Sequence, residues 1–308
     1  MFTLRRMTTF EWLEVATLIH SSTNAWYQKN RDFVAFSGPP EDCMLYCETY
    51  ELLDPGCTLV AYDDVQKRIA GSCFFHPRQT HISLGILNVH PDYFGQSVGR
   101  QLVNYIATMA RQEDKPLRLV SSAMNLDSFS LYSRLGFVPF EFFQDMLVSV
   151  PESGVASIVP EGFTVRPAEI NDIPAMAALE MYVQGIGREK DFRFFIENQQ
   201  KIWTTTVLER NSDKKIVGFL PAIDHPSTIL LGPGCMIDQA AALALISTEL
   251  NRKPGTNRIV LVPSRAKEIT KWMYNLGAKN IETHVAQCCG DFMKPHGIVI
   301  PCFLPETN

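Results

Sequence analysis

Two short stretches hold residue types from which group-transfer chemistry can be built. The first is Phe94–Gly95–Gln96–Ser97–Val98–Gly99–Arg100, a turn between the strand-like run Ile82–Val89 and a helix beginning near Val98. Backbone N–H groups in such a turn, reinforced by the positive end of the helix and by Arg100, can cradle a pyrophosphate. Gly95 and Gly99 allow close backbone approach there. The second stretch is Asn125, Ser128 and Tyr132, followed by Gly136–Phe137. A helix starting near Leu126 brings Ser128, Leu131 and Tyr132 round on adjacent turns, and Gly136 ends it. The Tyr132 hydroxyl can serve as a proton donor. Together the two stretches point to transfer of a group from a pyrophosphate-bearing carrier.

The elements that must position these residues follow a plan that occurs twice. Phe2–Thr–Leu–Arg5 and Phe163–Thr–Val–Arg166 are both strand-like runs leading into helices, and at the same offset Ala16 and Leu18 match Ala177 and Leu179. Leu135–Gly136 and Leu276–Gly277 match at a shorter offset, so the second copy has lost residues internally. Repeats this long indicate duplicated domains. Thr58–Asp63 with Arg68–Phe75, and Thr204–Glu209 with Lys215–Leu220, alternate as hairpins. Val98, Leu102, Val103, Ile106 and Ala110 form one apolar helix stripe. Strands and helices in this order imply an α/β class, an α+β mixed sheet that is partly parallel. The expected organisation is a catalytic domain over 1–150, a Pro/Ser/Gly-rich linker over 151–162, and a second domain over 163–308.

Bulk properties narrow the function. A chain of 308 residues with 46% apolar and 20% charged residues is globular and large enough for two domains. A net charge of −5 without a basic stripe argues against nucleic acid as a partner. The eight cysteines include no Cys-x-x-Cys pair, which gives no support to a zinc site and favours packed, reduced thiols. No signal-peptide core and no membrane-length apolar run is present, so the expected compartment is the cytoplasm, without membrane association.

The residues of the two stretches resemble the GNAT superfamily of acyl-CoA-dependent N-acetyltransferases. Its strand, Arg/Gln-x-x-Gly-x-Gly/Ala turn and helix are matched over Leu84–Met109, and its Asn…Tyr-x-x-x-Gly-Phe segment is matched by Asn125, Tyr132, Gly136 and Phe137. The turn departs from the pattern at Phe94, where Arg or Gln is usual, and at Ser97, which replaces the first motif glycine. The resemblance implies two tandem GNAT-like domains. It also implies direct acetyl transfer from acetyl-CoA to a primary amine of a small molecule or peptide, in a ternary complex and without a metal. Residues 94–100 would hold the pyrophosphate, and pantetheine would pair with the backbone of Leu87 and Val89 where strands 82–89 and 117–123 splay. An N–H at Asn88 or Val89 would polarise the thioester carbonyl. Asn125 and Ser128 would help hold the arm, and Tyr132 would protonate the departing thiolate.

No acidic residue lies between Ile82 and Val89, so the general base is open. Glu141 and Asp145 could face the acceptor pocket, and His76 and His81 flank a hairpin turn. These four read first as solvated surface groups, and a water chain would serve equally. Trp26 and Tyr27 could wall the acceptor pocket. In the second half Met273 stands in the place of Tyr132 and Ala266 in that of Asn125, which makes it a non-catalytic copy. The competing reading is a coenzyme A-binding regulatory or interaction protein. The acceptor and the choice of monomer or homodimer are not fixed by the sequence.

Overall fold

A computed structural model describes residues 2–307. They fall into two compact units, which do not follow the sequence halves. One comprises 2–77, 82–117 and 303–307; the other comprises 78–81 and 118–302.

The first unit holds β1 (Phe2–Arg6), α1 (Trp12–Arg31), α2 (Met44–Leu53), β2 (Thr58–Asp63), β3 (Arg68–Pro77), β4 (Ile82–Val89) and α3 (Val98–Gln112). Its strands lie in the order β1-β2-β3-β4, each neighbour antiparallel. The expected hairpin is present, but nearly every residue of β2 and β3 is buried, so both of its faces are covered. β4 carries a bulge: Cys73 pairs with Leu87 but Phe75 pairs with Leu84, leaving Gly85 and Ile86 opposite a single residue. Such a bulge bends a strand, and it sits immediately before Leu87–Val89. The apolar stripe of α3 is buried at Val98, Leu102, Val103, Ile106 and Ala110. Gly71 on β3 lets this helix approach, because a Cβ there would lie 2.7 Å from Val98 Cγ1 and 3.2 Å from Leu102 Cδ1. The terminal segment joins the same unit, with Tyr50 donating to the Phe303 carbonyl at 2.7 Å.

The second unit opens with β5 (Leu117–Ser122, from its second residue onward), α4 (Leu126–Arg134) and β6 (Val138–Ser149). There follow β7 (Phe163–Pro167), α5 (Ile173–Gln184), α6 (Glu189–Glu197), β8 (Trp203–Arg210), β9 (Ile216–Ile223), β10 (Leu230–Leu231) and β11 (Gly234–Met236). It closes with α7 (Gln239–Leu250), β12 (Asn257–Pro263), α8 (Lys267–Asn275), β13 (Lys279–Cys289) and β14 (Ile298–Ile300). Strand order runs β5-β13-β6-β12-β10-β9-β11-β14, with β8 on β9 and β7 on β8. β10 and β12 are parallel.

This order contains a reciprocal exchange. β6 follows β5 and α4 in sequence, yet it lies between β13 and β12, antiparallel to both. β13, which follows β12 and α8, lies between β5 and β6. Each repeat thus supplies the strand that borders the other's preceding strand. Met146 and Val148 of β6 are fully buried in one core with Leu208, Leu245, Val260 and Met273. Residues 151–162 are held as well: Asn251 on the C-terminal end of α7 accepts from Val155 N–H at 2.7 Å and donates to its carbonyl at 2.9 Å. All eight cysteines are free thiols, and burial pushes Cys43 and Cys47 up to about 12.

Candidate active site

In the first unit, β4 delivers Leu87, Asn88 and Val89 to the start of the turn. Pro91–Tyr93 forms a single helical turn capped by His90, whose Nδ1 accepts from Asp92 N–H at 3.2 Å. A polar clamp fixes that turn to the β2–β3 hairpin. Arg68 reaches Asp92 Oδ2 at 2.7 Å and Tyr93 Oη at 3.0 Å, and Tyr93 donates to Asp63 Oδ2 at 2.8 Å. The Tyr93 hydroxyl holds the Asp63 carboxyl below its usual range, and Arg68 does the same for Asp92. Both carboxylates are therefore structural.

Beyond this clamp Phe94, Gly95, Gln96 and Ser97 are all exposed, whereas Val98 and Gly99 are buried. Gly95 has φ +77°, and Ser97 itself is left-handed, with φ 62° and ψ 16°. A non-glycine residue in this region costs on the order of 1 kcal/mol. Position 97 therefore keeps the backbone that a glycine would adopt, although its side chain is serine. The first helical bond of α3 is Gln101 N–H to the Ser97 carbonyl at 3.0 Å. The amides of Val98, Gly99 and Arg100 precede it and have no partner within the helix. With exposed Arg100 beside them, they form a cationic, N–H-rich start suited to a phosphate.

Asn88 is buried and faces α1, donating to Ser22 Oγ at 2.6 Å and to Thr23 Oγ1 at 3.3 Å. Trp26 and Tyr27, further along α1, are half-buried and meet edge to face with ring centres 5.0 Å apart.

In the second unit, Asn125 caps α4. Its Oδ1 accepts from Ser128 N–H at 3.1 Å, and Ser128 Oγ donates to the Asn125 carbonyl at 3.0 Å. Asn125 thus sets the start of the helix that carries Tyr132. Tyr132 is buried, with its ring 5.6 Å from that of Phe137. Gly136, at φ +91°, turns the chain so that Phe137 N–H reaches the Tyr132 carbonyl at 3.1 Å.

The four residues read as solvated surface groups are not. Glu141 is buried and bound to Arg265 Nε at 2.5 Å, and Asp145 is buried and bound to His284 Nδ1 at 2.9 Å. Arg265, in the turn after β12, and His284, on β13, both belong to the second repeat, between whose strands β6 is inserted, which a period-two pattern does not reveal. His76 is buried against Asp54 Oδ2 at 2.6 Å, and buried His81 contacts Thr80 Oγ1 at 3.0 Å. Sequence reasoning missed the Arg68–Tyr93–Asp63 clamp, which links residues distant in the chain. It also missed the β4 bulge, for which the interior glycine Gly85 was the available signal. Among the described residues no group of three His, Cys, Asp or Glu side chains could hold a metal ion, and no helix is long and apolar enough to cross a membrane.

Comparison with known proteins gives this geometry a family. The GNAT acetyltransferase domain model matches residues 54–139, from the start of the β2–β3 hairpin through the turn, Asn125 and Tyr132. No curated protein matches the sequence. Among solved structures, a protein from Pyrococcus horikoshii described as an acetyltransferase superposes with a TM-score of 0.71 at 14% identity, covering 97% of this chain and 92% of its own. A GCN5-related N-acetyltransferase from Sphaerobacter thermophilus gives 0.64 at 16%, with 96% of each chain covered. A tandem GNAT protein from the clavulanic acid biosynthesis pathway gives 0.59 at 14%, covering 94% of this chain and 98% of that one. At these identities the likeness is one of fold. Residues 54–139 match the GNAT acetyltransferase domain, a family of acyltransferases, and over nearly its whole length the chain shares its fold with these structures, one of them a tandem GNAT protein.

Proposed function

We propose that the protein transfers an acetyl group from acetyl-CoA to a primary amine of a small molecule or peptide, using the first repeat alone. The observation that carries this reading is the start of α3. Its three free amides, the left-handed Ser97 and exposed Arg100 keep the backbone of a phosphate cradle despite the changed side chain. Acetyl-CoA would supply the activated acetyl group. Residues 94–100 would hold its pyrophosphate, with the backbone of Leu87, Asn88 and Val89 along the pantetheine arm. Asn125 and Ser128 shape the helix start, and Tyr132 is assigned the proton for the leaving thiolate. Trp26 and Tyr27 are assigned to the acceptor. Glu141 and Asp145 are engaged with Arg265 and His284, so water is the favoured route for the amine proton.

That engagement also favours a second reading, a coenzyme A-binding protein that does not catalyse. Thiol release from acetyl-CoA across a panel of amines separates the two. Amine-dependent release that is lost in Tyr132→Phe is expected for the enzyme. Tight acetyl-CoA binding with no release for any amine supports the binding protein instead.

A further inference from the structure

We infer that the second unit carries a binding site for one small monovalent anion, a halide such as chloride, at Arg118. Arg118 lies on β5 and is 3% exposed. Its Nη2 reaches Gln184 Oε1 only at 3.5 Å, the outer limit of a hydrogen bond, and its Nε finds no acceptor. The guanidinium otherwise lies over the Phe140 ring, 5.1 Å from its centre.

The buried carboxylates of this unit are committed elsewhere. Glu180 is bound by Arg188 Nε at 2.9 and 2.8 Å, and Asp191 by Arg78 Nη2 at 2.5 Å. Glu141, close by, is bound by Arg265. Arg118 therefore has no ion pair among the described residues. Burial pulls its pKa down, but a guanidinium stays protonated at neutral pH. A buried charge without a partner is strongly disfavoured.

Arg118 and Gln184 border a cavity of about 10 Å³ walled mainly by Val120, Phe140, Phe143 and Pro301, with Glu141 also on its rim. That space suits one occupant of roughly water size. Water would satisfy the orphan N–H but bring no counter-charge, whereas a halide would satisfy the N–H and add to the distant influence of Glu180 a negative charge in contact with the guanidinium. Sulfate, phosphate and carboxylates are too large for it.

Bromide anomalous diffraction on crystals of the full chain tests this directly. A bromide in contact with Arg118 Nε is expected, together with a Tm raised by roughly 3 °C when chloride replaces gluconate at constant ionic strength. Arg118→Met should abolish both effects. Absence of bromide at Arg118 overturns the inference. So does a bromide peak without the chloride-dependent rise, which means an adventitious ion only, or an equal rise with sulfate. Should Arg118→Met not fold, the wild-type bromide map and anion series decide.

Discussion

The two repeats share a backbone and differ in what they expose. Each begins with the same device. Arg5 holds Glu11 at 2.5 and 2.8 Å while Glu11 accepts from Thr8 N–H, and Arg166 holds Asp172 at 2.7 and 2.9 Å while Asp172 accepts from Glu169 N–H. Each places a glycine where its long helix crosses the hairpin, Gly71 under α3 and Gly218 under α7. Each ends its short helix in the same way, with Gly136 at φ +91° and Gly277 at +81°. Even the residues before those helices agree, Asn125 at φ −83°, ψ 86° and Ala266 at −83°, 72°.

Chemistry is where they part. Phe94–Ser97 is exposed and leads into unpartnered amides, whereas Gly232–Met236 is wholly buried and α7 is capped by Asp238, which accepts from Ala241 N–H at 2.8 Å. A carboxylate already occupies the position a phosphate would need. Tyr132 has its counterpart in Met273, buried in the core, and Asn125 in Ala266. Duplication preserves packing because each buried contact is needed for stability. On the function proposed above, a ligand cradle used by one copy alone carries no such constraint in the other.

The largest effect expected from breaking this asymmetry is on turnover. Tyr132→Phe keeps the ring and its packing but removes the hydroxyl, and should lower kcat by about 10²-fold or more, the range for a lost general acid. Met273→Leu should leave kcat unchanged. Equal losses would place chemistry in both repeats.

The strand exchange predicts a shared core. Met146→Ala should cost about 2–5 kcal/mol, as for a fully buried methionine, and should lift hydrogen-exchange protection in β12 and β9 of the other repeat. Protection there that is unaffected would contradict the exchange.

The smallest effect concerns the matched ion pairs. Hydrogen bonding to Arg5 holds Glu11 at about 2. For Asp172, burial pushes upward and is overcome by hydrogen bonds from Arg166 and the Glu169 amide. Both carboxyls are depressed, so their contribution is complete above the unfolded value and is lost as pH falls. For Glu11 that window runs from about 4.5 to about 2. Glu11→Gln should destabilise by on the order of 1 kcal/mol at pH 6, after allowing for solvent screening, and the gap should close by pH 2. A gap independent of pH would mean that packing is the cause.

Much of this was legible in the chain. Strand 82–89, the helix start at Val98, the helix start after Asn125 and both hairpins follow from periodicity and caps, which are local. Phe94 and Ser97 were visible as departures, but not that Ser97 takes the left-handed conformation. The exchange of β6 and β13 was not legible, since alternation specifies the face a strand buries and not the strand beside it. For the same reason Glu141 and Asp145 read as surface groups when they are buried ion pairs.

The stoichiometry of acetyl-CoA binding, measured by titration calorimetry on the full chain, bears most directly on one working site per chain. One equivalent is expected. Ser97→Asp, at an exposed position, should weaken it at least tenfold, about 1.4 kcal/mol, without changing the ligand-free Tm, while Asp238→Asn should leave it at one. Two equivalents, or one equivalent indifferent to Ser97→Asp, would contradict the assignment of the site to the first repeat.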